Sequence, residues 1–286
     1  MNTSSASAGL GLLSAASWGG SDFVGGLGAR RASPLLITVS GQAVSLVVLA
    51  LVCFTLHAAV PPARALALTA IAGFEAALAL ALFYHALSLG AMGLTAALTG
   101  LMTALVPVLF SMLHYGVPAP VTIAGLASGC LAIWLITHQH VQGAKAAPAA
   151  ALLLGVLAGA GFGMQLILFK MAEPASVGAA SILAIMTVTR AAGVSALLLV
   201  LLATRPAATG RSFWTPGIAA GLMDTAGTLF YLGAASFGRL DTAAVICSLY
   251  PAGTILLSAL VLRERPTRRQ MAGMALALGA VALLSL

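Results

Sequence analysis

The most informative shortage in this 286-residue sequence is of charge: 7% of the residues are Asp, Glu, Lys or Arg, whereas 61% are hydrophobic. A soluble domain carries about 25% charged residues, so this chain cannot cover a water-facing surface. Apolar runs recur from end to end, which predicts a multi-pass membrane protein. The formal net charge is +7. Because the basic residues lie mostly at the ends of apolar runs, we interpret them as topology signals and lipid-headgroup contacts, not as a nucleic-acid surface.

Cysteine is also scarce, and the motifs that build cofactor sites are absent. The three cysteines, Cys53, Cys130 and Cys247, lie singly in apolar runs without a CxxC pair, so we read them as packing residues and expect no metal site. The sequence has no P-loop, GxSxG, HExxH or CxxCH. We therefore expect no cofactor and no ATP-driven pump, and nothing argues for an enzyme. The first residues lack the basic region of a secretory signal and read as the start of a retained helix.

Ten apolar runs are long enough to form helical spans, which need about 20 residues each. Gly, Pro and charged residues concentrate between the runs. The runs lack the alternation of a membrane β-barrel, and a helix satisfies every backbone group within one segment. The predicted spans are 7–29, 34–56, 65–88, 92–113, 119–137, 149–170, 178–203, 213–236, 240–262 and 269–286.

The two halves of the chain resemble each other when the first is shifted by about 148 residues. Under this shift Ser88 falls on Ser236 and Pro118 falls on Pro266. Because each half holds an odd number of spans, the second half enters the membrane from the opposite side. We therefore predict an all-α integral membrane protein whose ten transmembrane helices form two inverted five-helix repeats. The predicted units are a first repeat at 1–137, a connecting loop at 138–148 and a second repeat at 149–286.

Three of the six acidic residues, Asp22, Glu75 and Asp224, fall inside predicted spans. A charge at mid-bilayer costs about 2.5–3.5 kcal/mol on insertion scales, so such residues usually face a bundle interior or a watery cavity. We interpret them as functional and keep a structural ion pair with Arg190, in the seventh span, as the alternative. The remaining acids lie in predicted loops or at the edge of a predicted span and are expected to be solvated; they are Glu173, Asp241 and Glu264.

The aspartate of the eighth span shares one helical face with two other polar residues. Thr228 and Tyr231 follow Asp224 by four and seven positions, which places them on its stripe. Such a stripe fits one wall of a cavity for a small polar molecule, or an interhelical hydrogen-bonding seam with nothing bound. The repeat shift places Asp224 one residue from the counterpart of Glu75, so each half carries an acid in the same pseudo-equivalent helix.

Other polar and aromatic residues inside spans complete the candidate set. Trp18 lies deeper than an interfacial anchor, and Ser21 and Asp22 follow it by one turn. His85, near the end of the third span, reads either as an interfacial histidine or as a proton carrier. The predicted substrate-binding residues are Trp18, Ser21, Asp22, Glu75, Tyr84, Phe162, Gln165, Asp224, Thr228 and Tyr231. The proton-coupling candidates are Glu75, Asp224 and His85.

Three stretches resemble EamA-type members of the drug/metabolite transporter superfamily. SLYPAGTILLSALVLRERPTRRQMAGMALALGAVALL, with Pro251 and the turn Glu264–Thr267, resembles the closing helix pair of that family. ASWGGSDFVGGLGARRASP resembles its opening helix, and GLMDTAGTLFYLGAA resembles its eighth. The resemblance implies a central cavity walled mainly by the first, third, sixth and eighth spans, where the three membrane-embedded acids fall.

The family resemblance implies a secondary transporter of a small metabolite, such as an amino acid or an amine, that works by alternating access in the inner membrane. We expect an exporter, monomeric or homodimeric, whose partners are the substrate, the bilayer and a proton or counter-substrate. The alternatives are a passive channel or facilitator and a non-transporting membrane assembly subunit. The family implies cytoplasmic termini, whereas the loop arginines, by the positive-inside rule, favour termini outside. The sequence leaves the orientation open.

Overall fold

The structure, a computed structural model, describes residues 3–58, 60–116, 120–137, 148–172, 179–205, 212–237, 250–265 and 267–284. Within these ranges the chain forms ten helices and no strand. They are α1 (Thr3–Ala29), α2 (Pro34–Thr55), α3 (Ala63–Ser88), α4 (Met92–Tyr115), α5 (Pro120–Thr137), α6 (Ala149–Ala172), α7 (Ala179–Thr204), α8 (Trp214–Phe237), α9 (Tyr250–Val261) and α10 (Arg268–Leu284).

The helices follow the spans predicted from hydropathy to within a few residues at most ends. The first residues of the ninth predicted span, 240–249, and most of the predicted connecting loop, 138–147, lie outside the described residues, as do Glu173 and Asp241. Five described segments are long and apolar enough to cross a membrane, with mean hydropathies of 2.0 to 2.3: Pro34–Thr55, Ala63–Ser88, Met92–His114, Ala149–Ala172 and Leu183–Thr204. This composition defines a multi-pass helical membrane protein.

Helix pairs from the two halves of the chain build the bundle. The pairs α1·α8 and α3·α6 pack most extensively, and α5 packs along α10. A row of glycines at GxxxG spacing on α6, Gly155, Gly159 and Gly163, lies against α4. A Cβ at Gly159 would meet the Thr99 carbonyl, and the Thr99 hydroxyl donates a hydrogen bond to the Gly155 carbonyl at 3.0 Å. The row is therefore a packing seam between α6 and α4, the role that GxxxG spacing indicates.

The start of α4 is tied to the turn after α9. Gly90 and Ala91 adopt positive φ angles of +118° and +48°, and Ala91 offers no side-chain cap to α4. Glu264 supplies that cap instead, because its carboxylate accepts the amide protons of Met92 and Gly93 at 2.9 and 3.1 Å. The expectation that Glu264 is a solvated loop residue is wrong. Its carboxylate is held by the unpaired amides that every helix start presents.

Candidate functional site

A polar and aromatic cluster, here called the α1–α8 cluster, is built around the seam between α1 and α8. Its members are Ser14, Trp18, Ser21, Asp22, Gln42, Tyr84, Arg190, Asp224, Thr228, Tyr231 and Tyr250. One face of α1 carries Ser14, Trp18 and Ser21, at the spacing of one helical stripe. Each donates a hydrogen bond to a backbone carbonyl of α8, at 2.8, 3.2 and 2.8 Å respectively. These bonds fix the rotation of α1 about its axis and thereby direct Asp22, the next residue after Ser21, toward the neighbouring helices.

Asp224 forms an ion pair with Arg190 of α7. An Arg190 Nη atom donates to the Asp224 carboxylate at 2.5 Å, and the other donates to the Gln42 side-chain oxygen at 3.1 Å. The two charged side chains are 15% and 24% exposed, so the pair is largely desolvated. Of the two readings left open by the sequence, the structural ion pair is the one found for Asp224.

Thr228 and Tyr231, the other two residues of the predicted Asp224 stripe, also make contacts within the protein. The Thr228 hydroxyl donates to the Asp224 carbonyl, within its own helix, at 3.0 Å. The Tyr231 ring lies 5.9 Å from the indole of Trp18. The eighth helix therefore contributes an aromatic wall and a neutralised carboxylate, not a free anion.

Asp22 is different, because the structure gives no partner to one of its carboxyl oxygens. Its Oδ2 atom is buried and has no hydrogen bond within the described residues. Asp22 lies within electrostatic range of Asp224, Tyr84 and Tyr250. A buried acceptor without a partner is costly, and such groups in native proteins mark functional sites or an absent ligand.

Aromatic side chains lie near this carboxyl group. Tyr84 and Tyr250 are within electrostatic range of Asp22, and the Tyr84 ring occupies the space that a Cβ at Gly25 of α1 would fill. The ring centroids of Tyr231 and Tyr250 lie 5.9 and 6.3 Å from that of Trp18, one turn before Asp22. Aromatic faces stabilise ammonium groups, so a carboxyl group beside these rings fits a small cation or amine.

Glu75 does not join the α1–α8 cluster. It precedes Tyr84 by nine residues on α3, which places it about 13 Å along the axis and on the opposite face. There it points toward α6, where its Oε2 atom lies 3.2 Å from the position of a Cβ on Gly161. Its Oε1 atom is buried without a hydrogen-bond partner in the described part of the chain. The near-symmetric placement of Glu75 and Asp224 in sequence does not bring them to equivalent surroundings.

The remaining predicted residues are dispersed. Phe162 packs edge-on against Phe83 at 6.0 Å, in the apolar core that also contains Tyr84. Gln165 is half-buried on α6. His85 is exposed, between Tyr84 and Ala86, which are both buried, so it faces away from the cluster.

Two residues of the α1–α8 cluster were missed by sequence reasoning. Gln42 binds Arg190, and Tyr250 packs against Trp18. Gln42 carries a usable signal, because extending the repeat shift to the second helix places it on Arg190. For Tyr250 the only signal in the sequence is its position beside Pro251, and this position does not show which way its ring points.

A cavity lies at a different place in the described part of the bundle. It has a volume of about 670 Å³ and opens between the end of α1 and the start of α8. None of the three membrane-embedded acids lines it. Its walls are Val24, Leu27, Gly28, Arg31, Ser212, Thr215, Pro216 and Ala219. Among the described residues, no group of three or more His, Cys, Asp or Glu is placed to hold a metal ion.

The fold and the desolvated polar cluster define a class, namely multi-pass helical membrane proteins that carry charged groups at depth in the bundle. Residues 146–286 match the EamA-like transporter family, and the chain is an EamA-type member of the drug/metabolite transporter superfamily. One solved crystal structure is similar over 98% of this chain and 96% of its own, with a TM-score of 0.61 and 16% sequence identity. That likeness shows the fold alone. The comparison with curated proteins gave no match.

Proposed function

We propose that this protein is a secondary transporter that moves a small amine-bearing metabolite, such as an amino acid, across the inner membrane by alternating access. Family membership supports transport as the function. Export, a monomer or homodimer, and coupling to a proton or counter-substrate belong to the same proposal. The substrate binds near the middle of the bundle, at the α1–α8 cluster.

Matching contacts in the two halves support the inverted repeat that alternating access uses. Gly73 of α3 lies directly against the backbone of Thr189 of α7, and Gly221 of α8 lies against the backbone of Gly41 of α2. A shift of about 148 residues carries the first contact onto the second with the two helices exchanged. The pairs α1·α8 and α3·α6 are exchanged in the same way. Two five-helix repeats at 1–137 and 149–286 account for both correspondences.

The observation that carries the substrate assignment is the Asp22 carboxyl oxygen, which has no partner among the described residues and lies near the side chains of Tyr84 and Tyr250. Asp224 is neutralised by Arg190, so Asp22 is the carboxylate of this cluster that remains available to a ligand. A substrate ammonium group would satisfy the buried oxygen and stack on the aromatic rings. Ser21, Tyr84, Thr228 and Tyr231 then shape the wall around it.

Glu75 is the best candidate for coupling proton movement to transport. It is half-buried, carries an oxygen without a partner in the described residues, and faces α6 instead of the substrate cluster. A carboxyl group in that position can take up and release a proton without occupying the substrate site. Asp224, held by Arg190, and the exposed His85 are weaker candidates for this role.

The ion pair is also the feature expected of a non-transporting assembly subunit, in which every acid would be paired. Arg190 and Asp224 fit that alternative. Asp22 and Glu75 do not, because each retains a buried oxygen without a partner among the described residues. A passive channel is separated from a transporter by kinetics, since a channel shows neither counterflow nor saturation.

The test starts with a thermal-shift screen of the purified protein against amino acids, amines and nucleosides. A compound that binds the folded state raises the unfolding temperature by mass action. Uptake of each hit is then measured in proteoliposomes. Asp22→Asn should lower transport by about tenfold or more, because it removes a charge-assisted hydrogen bond.

The matched variants are Asp22→Glu, which keeps the charge, and Glu75→Gln, which should reduce coupled transport but leave the thermal shift in place. Unchanged transport in both Asp22→Asn and Glu75→Gln would show that the acids are structural and that the site assignment is wrong. Transport that shows no counterflow would identify a channel instead.

A further inference from the structure

Glu264 follows α9 at one end of the bundle, where α1 and α3 also end and α4 begins. It links the start of α4 to the ends of α1 and α3. Its carboxylate accepts hydrogen bonds from the amides of Met92 and Gly93 at 2.9 and 3.1 Å. The same carboxylate lies 3.3 Å from an Arg30 Nη atom. Arg30 in turn donates from Nε to the Leu87 carbonyl at 3.3 Å, at the end of α3. We call this arrangement the Glu264 clamp.

The clamp connects the two halves of the chain. Glu264 belongs to the second half, whereas Arg30, Met92 and Gly93 belong to the first. In an inverted-repeat transporter the halves rock against each other so that the two ends of the bundle open alternately. A bond between the halves at one end therefore opposes opening at that end.

An apolar plug lies in the same part of the molecule. Phe83, Leu87 and Met92 are fully or almost fully buried, and Leu262 packs against them. A Cβ at Gly26 of α1 would meet both Leu87 and Met92, so α1 is in close contact with the plug. The clamp thus covers a packed seal between the ends of α1, α3 and α9.

The charged groups of the clamp are accessible enough to separate. The side chains of Arg30 and Glu264 are 25% and 23% exposed, so water can replace their mutual contact. The freed amides at the start of α4 can also be hydrated, as they are at many exposed helix ends. The bond between Arg30 and Glu264 can therefore break and re-form.

The repeat shift shows that the clamp has no symmetric copy at its equivalent position. The counterpart of Glu264 is Gly116, a residue with a φ angle of +90° and no side chain. A carboxylate cap of this kind at the opposite end of the bundle cannot come from that position. The residue at the equivalent position therefore cannot form the same clamp.

We propose that the Glu264 clamp is the releasable gate that closes the Arg30 end of the bundle and sets this end closed in the resting state. Release of Glu264 from Arg30 and from the start of α4 accompanies opening of this end in each transport cycle. This proposal rests on the proposed transport cycle, but its test needs no substrate, so the failure of one is distinguishable from the failure of the other.

The experiment measures how often the seal below the clamp opens. Ala96, which is 1% exposed and lies one turn inside α4, is replaced by cysteine in a chain whose native cysteines are changed to serine. A charged maleimide then labels this cysteine in the detergent-purified protein. Glu264→Gln should raise the labelling rate by about tenfold, because it turns a minor open state into a substantial one. Arg30→Gln should raise it less, since the carboxylate still caps α4.

Arg265→Gln is the matched control, because Arg265 is exposed in the same turn. It should leave the labelling rate unchanged.

Hydrogen exchange of the peptide that contains Met92 and Gly93 separates a gate from a simple helix cap. Faster exchange at the start of α4 together with faster labelling of Ala96→Cys supports the gate. Faster exchange with unchanged labelling overturns it, as does equal labelling in Glu264→Gln and Arg265→Gln.

Discussion

At the scale of single residues, the charged groups inside the bundle divide into an ion pair and two acids without a counter-ion. Arg190 and Asp224 form the pair, with Gln42 as a third partner, although Arg190 Nε has no hydrogen bond among the described residues. Asp22 and Glu75 each keep one buried oxygen that has no partner among the described residues. Because charges at membrane depth are costly, we interpret the pair as part of the scaffold and the two acids as the groups that exchange partners during function.

The ion pair makes a prediction that a double-mutant cycle can check. Asp224→Asn leaves the Arg190 charge without its counter-ion in a largely desolvated site, so we expect stability to fall by about 2 kcal/mol or more. Arg190→Gln should have a similar effect for the same reason. The double variant, which removes both charges, should be more stable than either single variant. Unfolding midpoints in detergent measure all three, and additive losses would contradict the pairing.

The sequence could supply the candidates at this scale but not their partners. Hydropathy places Asp22, Glu75 and Asp224 in spans, yet it leaves the rotation of each helix undetermined. The repeat shift aligns Asp224 one residue away from Glu75, and one residue corresponds to a turn of about 100° around the helix. That offset is enough to direct Asp224 to Arg190 of α7 and Glu75 to Gly161 of α6.

At the scale of helices, small residues determine which surfaces approach. The row of Gly155, Gly159 and Gly163 on α6 brings α4 close enough that added Cβ atoms would meet Thr95, Thr99 and Val106. This seam was readable from the sequence because GxxxG spacing indicates close helix packing. The cap that Glu264 provides to α4 was not readable, because no local pattern shows which distant side chain reaches an open helix start.

The glycine seam predicts a strong difference between two Gly→Ala changes. In Gly159→Ala the new methyl group would collide with the backbone carbonyl of Thr99, which cannot move without shifting α4. Overpacking of this kind costs about 1–3 kcal/mol. Gly279→Ala on α10 meets no atom within 4 Å and serves as the control. Thermal unfolding in detergent should show a lower midpoint for Gly159→Ala alone, and equal midpoints would contradict the seam.

At the scale of the whole molecule, the number and order of the helices were largely predictable. Long apolar runs separated by Gly, Pro and Arg give helix bounds that agree with the structure at most ends. The interlocking of the halves, with α1 on α8 and α3 on α6, depends on tertiary packing that hydropathy does not encode. The membrane orientation is likewise set by charges in the loops, and the arginines and the family resemblance point in opposite directions.

Labelling of single cysteines tests the number of membrane spans and their orientation. Arg31 and Arg265 lie in turns that the Glu264 clamp brings together, whereas Arg64 lies at the start of α3, one span away from Arg31. In membrane vesicles, an impermeant maleimide should reach Arg31→Cys and Arg265→Cys from one side and Arg64→Cys from the other. Labelling of all three from one side would contradict the span count. The compartment in which Arg31→Cys reacts also decides between the two orientations.

The contact between Arg190 and Gln42 limits how the two halves of the chain can vary. The repeat shift of about 148 residues maps each of these positions onto the other, so under the proposed inverted repeat the contact joins two equivalent positions. Two glutamines at these positions could bond to each other, because an amide both donates and accepts, whereas two arginines would repel. Under that repeat, an arginine can therefore be held here in one half only, and the two halves must differ at this site.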